Sequence, residues 1–213
     1  MIYYRRNKTY EGYVLRQGKK ALNDPKYVLA GEEKRKRKFI ERFKLYLSDM
    51  IPGKVLCLGA RTGTEVMVAR KLGFANSIGI DLYPLGDCVL KGDWHNMPFD
   101  DNTYENIYTN SLDHCYDFSK LAREIYRVLV PGGRFVYESH TKYALDYRTK
   151  ENKIDIEKIV SGESQKHPLN TMFWDSIKDI AIECCQQGNF KIVNGYIQRQ
   201  WSGYVLEKVD DGK

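Results

Sequence analysis

Gly59, Gly63 and Asp81 are the first residues whose types and spacing could do chemistry. The run VLCLGARTGTEV, residues 55–66, is apolar, breaks into glycines and then resumes with a helix-like pattern. Glycines let a backbone approach a ligand closely, and a helix N-terminus near Thr64 adds partial positive charge. Asp81 stands twenty-two residues beyond Gly59, at the end of the next apolar run. A carboxylate there can accept both hydroxyls of a ribose. The pattern suits a nucleotide-like ligand on a strand-to-helix turn, although Arg61 occupies a position where such loops usually have glycine.

A second set of polar residues follows later apolar runs. Asp113 and His114 come shortly after NIYTN (106–110), and His140 directly after the run ending in VYES. Side chains just beyond strand ends on the ligand side can serve as general bases. The alternative is structural, since polar residues after strands often only cap turns; the same choice applies to His95, beside Asp93 and Trp94. Asp113, His114, Glu138 and His140 are types that suit several divalent ions. Their spacing is not that of a metal motif, and no metal is expected.

These residues need elements to position them. Phe39, Ile40, Phe43, Leu47 and Met50 recur at three- and four-residue steps, which predicts an amphipathic helix over 33–50, ended by Pro52 and Gly53. KVLCLG (54–59) reads as a strand buried on both faces. A helix from Thr64 to Leu72 follows, with Gly73 at its C-terminal cap. Further strands are expected at 77–82, 88–90 and 106–110, and a helix at 117–129 turns through Pro131, Gly132 and Gly133 into a fifth strand. Strands alternating with helices imply a doubly wound, mostly parallel sheet. A helix at 171–187 precedes FKIVNGYI and WSGYVLEKV, which lie too close in sequence for a parallel crossover and so predict an antiparallel edge hairpin. The polar stretch 143–169 has little periodicity and is long for a plain connector.

Composition narrows the class. A chain of 213 residues, 42% hydrophobic and 29% charged, is expected to form one globular domain, and no apolar run approaches the ~20 residues of a membrane helix. The N-terminal MIYYRRNKTYEGY has no secretory pattern, so a cytoplasmic location is expected. Five cysteines without a CxxC pair predict neither disulfides nor zinc; reduced, buried thiols are expected. The net charge of +6 and the run KRKRK (34–38) read either as a solvated helix face or as a patch for phosphate or nucleic acid.

Several segments, in order, resemble the class I S-adenosylmethionine-dependent methyltransferases, especially the small type-11-like group. VLCLGARTG resembles the glycine-rich first motif, IGIDL the acidic second-strand end, GDWHNMPFDDNTYENIYTNSLDH the third- and fourth-strand region, and EIYRVLVPGGRFV the Pro-Gly-Gly entry to strand five. The resemblance covers most of 50–210 and implies an α/β, Rossmann-like, seven-stranded doubly wound sheet with an antiparallel C-terminal edge hairpin. It implies a single domain, with 1–50 as a helical cap and 143–169 as an insertion covering the substrate. It also implies S-adenosyl-L-methionine as cofactor and S-adenosyl-L-homocysteine as product. Gly59 and Gly63 would lie against the methionine part, and Asp81 at the ribose. Asp93 and Trp94 would hold the adenine, with Asn110 near the amino acid portion and Ala60, Leu82 and Ser111 as further cofactor contacts.

Cys57 and Arg61 depart from the family, which usually has an acidic residue and glycine at those positions. Either Arg61 bridges to the cofactor carboxylate or to Asp81 while Glu65 takes the ammonium, or the loop is disabled. The sequence also looks like methyltransferase domains of sugar and polysaccharide assembly, including multidomain glycan-building proteins of large DNA viruses. That implies transfer to an acceptor hydroxyl on a glycan, with Asp113, His114 or His140 as base, and allows a place in a larger protein (in host cytoplasm if viral). A nucleic-acid methyltransferase, a nicotinamide-dependent oxidoreductase and a non-catalytic binding domain are the other readings.

Overall fold

Near-continuous apolar runs in the short central strands dictate a sheet covered on both faces. The computed structural model describes residues 1–4, 9–23, 31–140, 172–197 and 201–210. Its main sheet has seven strands: β2 (Val55–Leu58), β3 (Ile78–Asp81), β4 (Val89–Lys91), β5 (Tyr104–Thr109), β6 (Leu129–His140), β8 (Phe190–Ile197) and β9 (Trp201–Lys208). Their order is β4-β3-β2-β5-β6-β9-β8. The first five are parallel, whereas β9 pairs antiparallel with both β6 and β8. The doubly wound sheet with an antiparallel C-terminal hairpin is thus present.

Among the described residues five helices flank the strands: α1 (Tyr10–Asn23), α2 (Glu32–Tyr46), α3 (Thr64–Lys71), α4 (Phe118–Val128) and α5 (Lys178–Gly188). On one face Leu56, Leu58, Ile107, Phe135 and Leu206 pack with Phe118, Leu121 and Ile125 of α4 and Ile180 of α5. On the other, Val55, Cys57, Tyr108, Val136 and Val205 pack with Phe39 and Phe43 of α2 and Val66 and Val68 of α3. The two sets take alternate positions along each strand, as the pleat requires. Asp117 starts α4 by accepting from the Lys120 N–H at 2.9 Å, and Asn189 follows α5 in the left-handed region.

Some boundaries differ from the sequence reading. The helix expected over 33–50 spans Glu32–Tyr46. Pro131, Gly132 and Gly133 do not precede the fifth strand but lie inside it, where the pairing of β5 with β6 shifts register between Tyr104 and Asn106. The expected helix at 171–187 begins only at Lys178, because Met172–Trp174 form β7, paired antiparallel with β1 (Ile2–Tyr4). All three β7 side chains are buried, and it is the pairing with β1 that sets the segment as a strand. Cys57, Cys115 and Cys184 are buried, but Cys88 and Cys185 are partly exposed, against the expectation that all five are buried. The segment 143–169 lies outside the described residues.

The chain order reverses at β2, which sits between β3 and β5. In such sheets ligands bind beyond the carboxyl ends of the strands at that point.

Candidate functional site

A cleft of about 730 Å³, its open mouth included, lies at that switch point. It is lined by Gly59, Arg61, Asp81, Trp94, Ser111 and His114 from the strand ends, together with Ile80, Leu82 and Gly92, and by Tyr13 and Gln17 from α1. The few convergent polar groups in a cleft at the strand ends are those of a small-molecule site.

In the glycine loop, Gly59 N–H donates to the Ile80 carbonyl at 2.9 Å and Gly63 N–H to the Ala60 carbonyl at 2.6 Å, so these two amides are engaged within the protein. Gly59 contributes a bare backbone instead. It sits at φ 71°, where a Cβ would come within 3.0 Å of Ser111 Cβ and 3.2 Å of Trp94 Cζ3. Gly63 does not line the cleft; a Cβ there would lie 2.3 Å from Cys88 Sγ.

Arg61 takes a positive φ of 25°. Its N–H donates to Asp81 Oδ2 at 3.1 Å, and its carbonyl accepts from Leu85 N–H at 2.7 Å and Gly86 N–H at 3.1 Å. The segment after β3 therefore docks on the loop and holds a conformation that glycine would adopt freely. Asp81 Oδ1 accepts from Tyr83 N–H at 2.8 Å. Each carboxylate oxygen keeps a further lone pair, and the side chain lines the cleft.

Trp94 is buried against the cleft, whereas its neighbour Asp93 is turned into a protein clasp. Asp93 Oδ1 accepts from His95 N–H at 2.8 Å and lies 2.9 Å from His95 Nδ1, and Oδ2 accepts from Tyr10 O–H. His95 Nε2 accepts from Asp117 N–H at 3.2 Å, which puts the ring proton on Nδ1 and makes His95 a structural link. Burial raises the Asp93 carboxyl, but the hydrogen bonds from His95 and Tyr10 outweigh it and hold it at about 2. Asp93 is not among the lining residues.

Glu65, in the first turn of α3, is buried and also does not line the cleft. Burial pushes its carboxyl up to about 7, with Arg42 and Arg35 pulling the other way and Asp81 adding to the rise. Glu138 is buried on the α2 side, with Arg42 Nε 2.8 Å from Oε1, Tyr46 O–H donating at 3.0 Å to Oε2, and Tyr108 O–H donating to Oε1. Of the candidate bases, His114 lines the cleft with its Nε2 3.6 Å from Asp113 Oδ2. His140 lies elsewhere, edge-on to Trp201 at 5.4 Å between ring centres. Ser111 O–H donates to Asn110 Oδ1 at 3.1 Å, which joins those two at the mouth of β5. Ala60 is buried beneath the loop. The lining residues Tyr13 and Gln17 were missed; the spacing of Tyr10, Tyr13 and Gln17 along one face of α1 is the signal that could have found them.

Among the described residues no three His, Cys, Asp or Glu side chains are grouped to hold a metal ion. No helix among them is long and apolar enough to cross a membrane. Lys34, Arg37 and Lys38 of the KRKRK run are exposed on α2.

Residues 56–137 match the family described as methyltransferase domain. The phthiotriol/phenolphthiotriol dimycocerosates methyltransferase of Mycobacterium tuberculosis is 41% identical over 88 residues, 35% of this chain and 33% of that protein. The sterol 24-C-methyltransferase of Schizosaccharomyces pombe is 30% identical over 117 residues, 46% of this chain and 31% of that one. The chain thus spans about a third of the length of these relatives. Among solved structures, a Haemonchus contortus phosphoethanolamine N-methyltransferase, in complex with phosphomonomethylethanolamine and S-adenosylhomocysteine, superposes with a TM-score of 0.61. It is 11% identical, with 82% of this chain and 53% of that chain covered, a likeness of fold alone.

Proposed function

We propose, from the match of residues 56–137 to a methyltransferase domain and the sequence resemblance to the class I S-adenosylmethionine-dependent methyltransferases, that the chain transfers a methyl group from S-adenosylmethionine to an acceptor hydroxyl. The cofactor of this family, when bound, supplies a methyl group already activated on a sulfonium. The residues of the cleft fit it: Asp81 has acceptor capacity for a ribose diol, Trp94 offers a flat apolar face, and bare Gly59 leaves room where a Cβ would crowd Ser111 and Trp94. What remains for the protein is to align the acceptor, exclude water and take a proton.

One observation carries the hydroxyl reading: His114 stands in the cleft with the Asp113 carboxylate 3.6 Å from Nε2. In this reading His114 would take the acceptor hydroxyl's proton and Asp113 would stabilise the imidazolium that results, the bound cofactor supplying the methyl group. A sugar hydroxyl of a glycan is the leading acceptor, on the strength of the sequence resemblance to glycan-assembly domains. A lipid alcohol is the second reading, favoured by a relative named for phthiotriol methylation.

The test is a tritiated-methyl transfer assay on three acceptor sets: deoxysugar glycans, long-chain lipid alcohols and RNA. Label in the glycan fraction, stable to mild base and lost in His114→Ala, supports the leading reading. Label in lipid moves the second reading to first place, and label in RNA overturns both.

A further inference from the structure

We propose that Gln17 of α1 is a ligand contact, donating its side-chain amide to an oxygen of the nucleoside in the cleft, and that α1 is the clasp holding that ligand. The inference rests on the cofactor reading above and adds an element outside the matched methyltransferase segment.

Gln17 is only 6% exposed, lines the cleft, and has an Nε2 with no hydrogen-bond partner among the described residues. A buried amide donor left unmatched costs about 1–3 kcal/mol. One placed in a binding cleft is satisfied when a ligand brings an acceptor. Tyr10, Tyr13 and Gln17 form one stripe of α1, and Tyr13 is also buried in the cleft wall.

The helix is anchored at two points. At one, Tyr10 O–H donates to Asp93 Oδ2 at 2.5 Å, and the Tyr10 ring packs edge-on to His95 at 5.8 Å. At the other, Tyr83 O–H donates to the Val14 carbonyl at 3.1 Å, and Gly18 lets the helix lie against the Tyr83 ring, where a Cβ would come within 2.7 Å. Asp93 follows β4 and Tyr83 follows β3, so the anchors hold α1 across the ends of those strands. Gln17 there shares the cleft with Arg61 and Asp81. The oxygens of S-adenosylmethionine that can accept from it are the ribose hydroxyls and the amino acid carboxylate, and the same test tells them apart.

The experiment is calorimetric titration of S-adenosylhomocysteine and 5′-deoxy-5′-methylthioadenosine into the wild type, Gln17→Leu, Gln17→Glu, Tyr10→Phe and Asp81→Ala. The thermal midpoint of each protein without ligand is recorded alongside. Gln17→Leu is expected to weaken S-adenosylhomocysteine about tenfold. Its unliganded midpoint stays level or rises, because the change removes an unmatched buried donor, a combination that a purely structural glutamine would not give. Gln17→Glu keeps the shape without the donor and gives the same loss of affinity should leucine fail to pack. Equal loss for both ligands puts the accepting oxygen on the ribose; loss confined to S-adenosylhomocysteine puts it on the carboxylate; either supports the contact. Unchanged affinity in both Gln17 variants, with binding lost in Asp81→Ala, overturns this proposal and leaves the cofactor reading standing. No binding by the wild type overturns both.

Discussion

Arg61 and Asp81 are joined through the main chain, the Arg61 N–H reaching Asp81 Oδ2 at 3.1 Å while Tyr83 N–H holds the other carboxylate oxygen at 2.8 Å. Asp81 therefore has two tasks, to lock the glycine loop and to face the ligand. Asp81→Asn keeps the shape and one acceptor oxygen but turns an NH2 toward one of the two backbone N–H donors, so calorimetry should show S-adenosylhomocysteine binding weakened about tenfold, with a lowered thermal midpoint. Asp81→Ala removes both anchors. It should abolish measurable binding and also lower stability by about 1–2 kcal/mol in urea unfolding.

His114 offers a separation that Asp81 does not. If it acts on the acceptor's proton, His114→Ala should lower kcat by about 10²–10⁴-fold. Affinity for S-adenosylhomocysteine should stay within about threefold, since the variant leaves Asp81 and Trp94 in place. Single-turnover methyl transfer beside calorimetry reads both quantities. Parallel losses in the two would assign His114 to cofactor binding and remove the base from the scheme.

The parallel strands were legible because the sheet is buried on both faces and the runs VLCLG, IGIDL and GRFVYES record that burial directly, whereas their order in the sheet came only from the structure. The antiparallel hairpin followed from the short separation between FKIVNGYI and WSGYVLEKV. Long-range packing was less legible. Met172, Phe173 and Trp174 read as the start of a helix because nothing local shows that Ile2–Tyr4 returns to pair with them. Position after a strand identified His114 and His140 equally, but only the three-dimensional structure puts one in the cleft and the other against Trp201. Asp93 is a carboxylate at the place where the resemblance puts an adenine contact, and its engagement by Tyr10 and His95 depends on a helix eighty residues away.

Glu65 gives a pH dependence with a defined sign. Its folded-state carboxyl is raised from 4.5 to about 7, burial being the main cause. The stabilisation attached to its proton is therefore complete below the unfolded value of 4.5 and is lost as pH rises through about 7. Glu65→Gln keeps the neutral form at all pH values. Urea unfolding should find it on the order of 2 kcal/mol more stable than the wild type near pH 8 and about equal to it near pH 4. A variant less stable than the wild type near pH 8 would mean that the ionised carboxylate is held by Arg42 and Arg35 more strongly than burial opposes it.

Gly59 and Gly63 belong to one motif but should fail in different ways when replaced by alanine. Gly63 is at φ 74°, and a Cβ there meets Cys88 Sγ at 2.3 Å and Val89 Cγ2 at 3.2 Å, away from the cleft lining. Gly63→Ala adds a left-handed backbone penalty of about 1–2 kcal/mol to a packing clash. Because the nearest clashing atom is one sulfur, Cys88→Ala should recover the packing part and leave the backbone part, a coupling that a double-mutant cycle in urea measures. Gly59 is at φ 71°, and its Cβ would press on Ser111 and Trp94, which are walls of the cleft. Gly59→Ala should thus cost ligand affinity as well as stability, by about tenfold or more for S-adenosylhomocysteine. Gly63→Ala, once stabilised by Cys88→Ala, should bind that ligand within about threefold of the wild type, since its Cβ lies behind the loop and the cleft surface is unaltered. Equal affinity losses at the two glycines would show that the ligand rests on the loop backbone as a whole rather than on the bare face of Gly59.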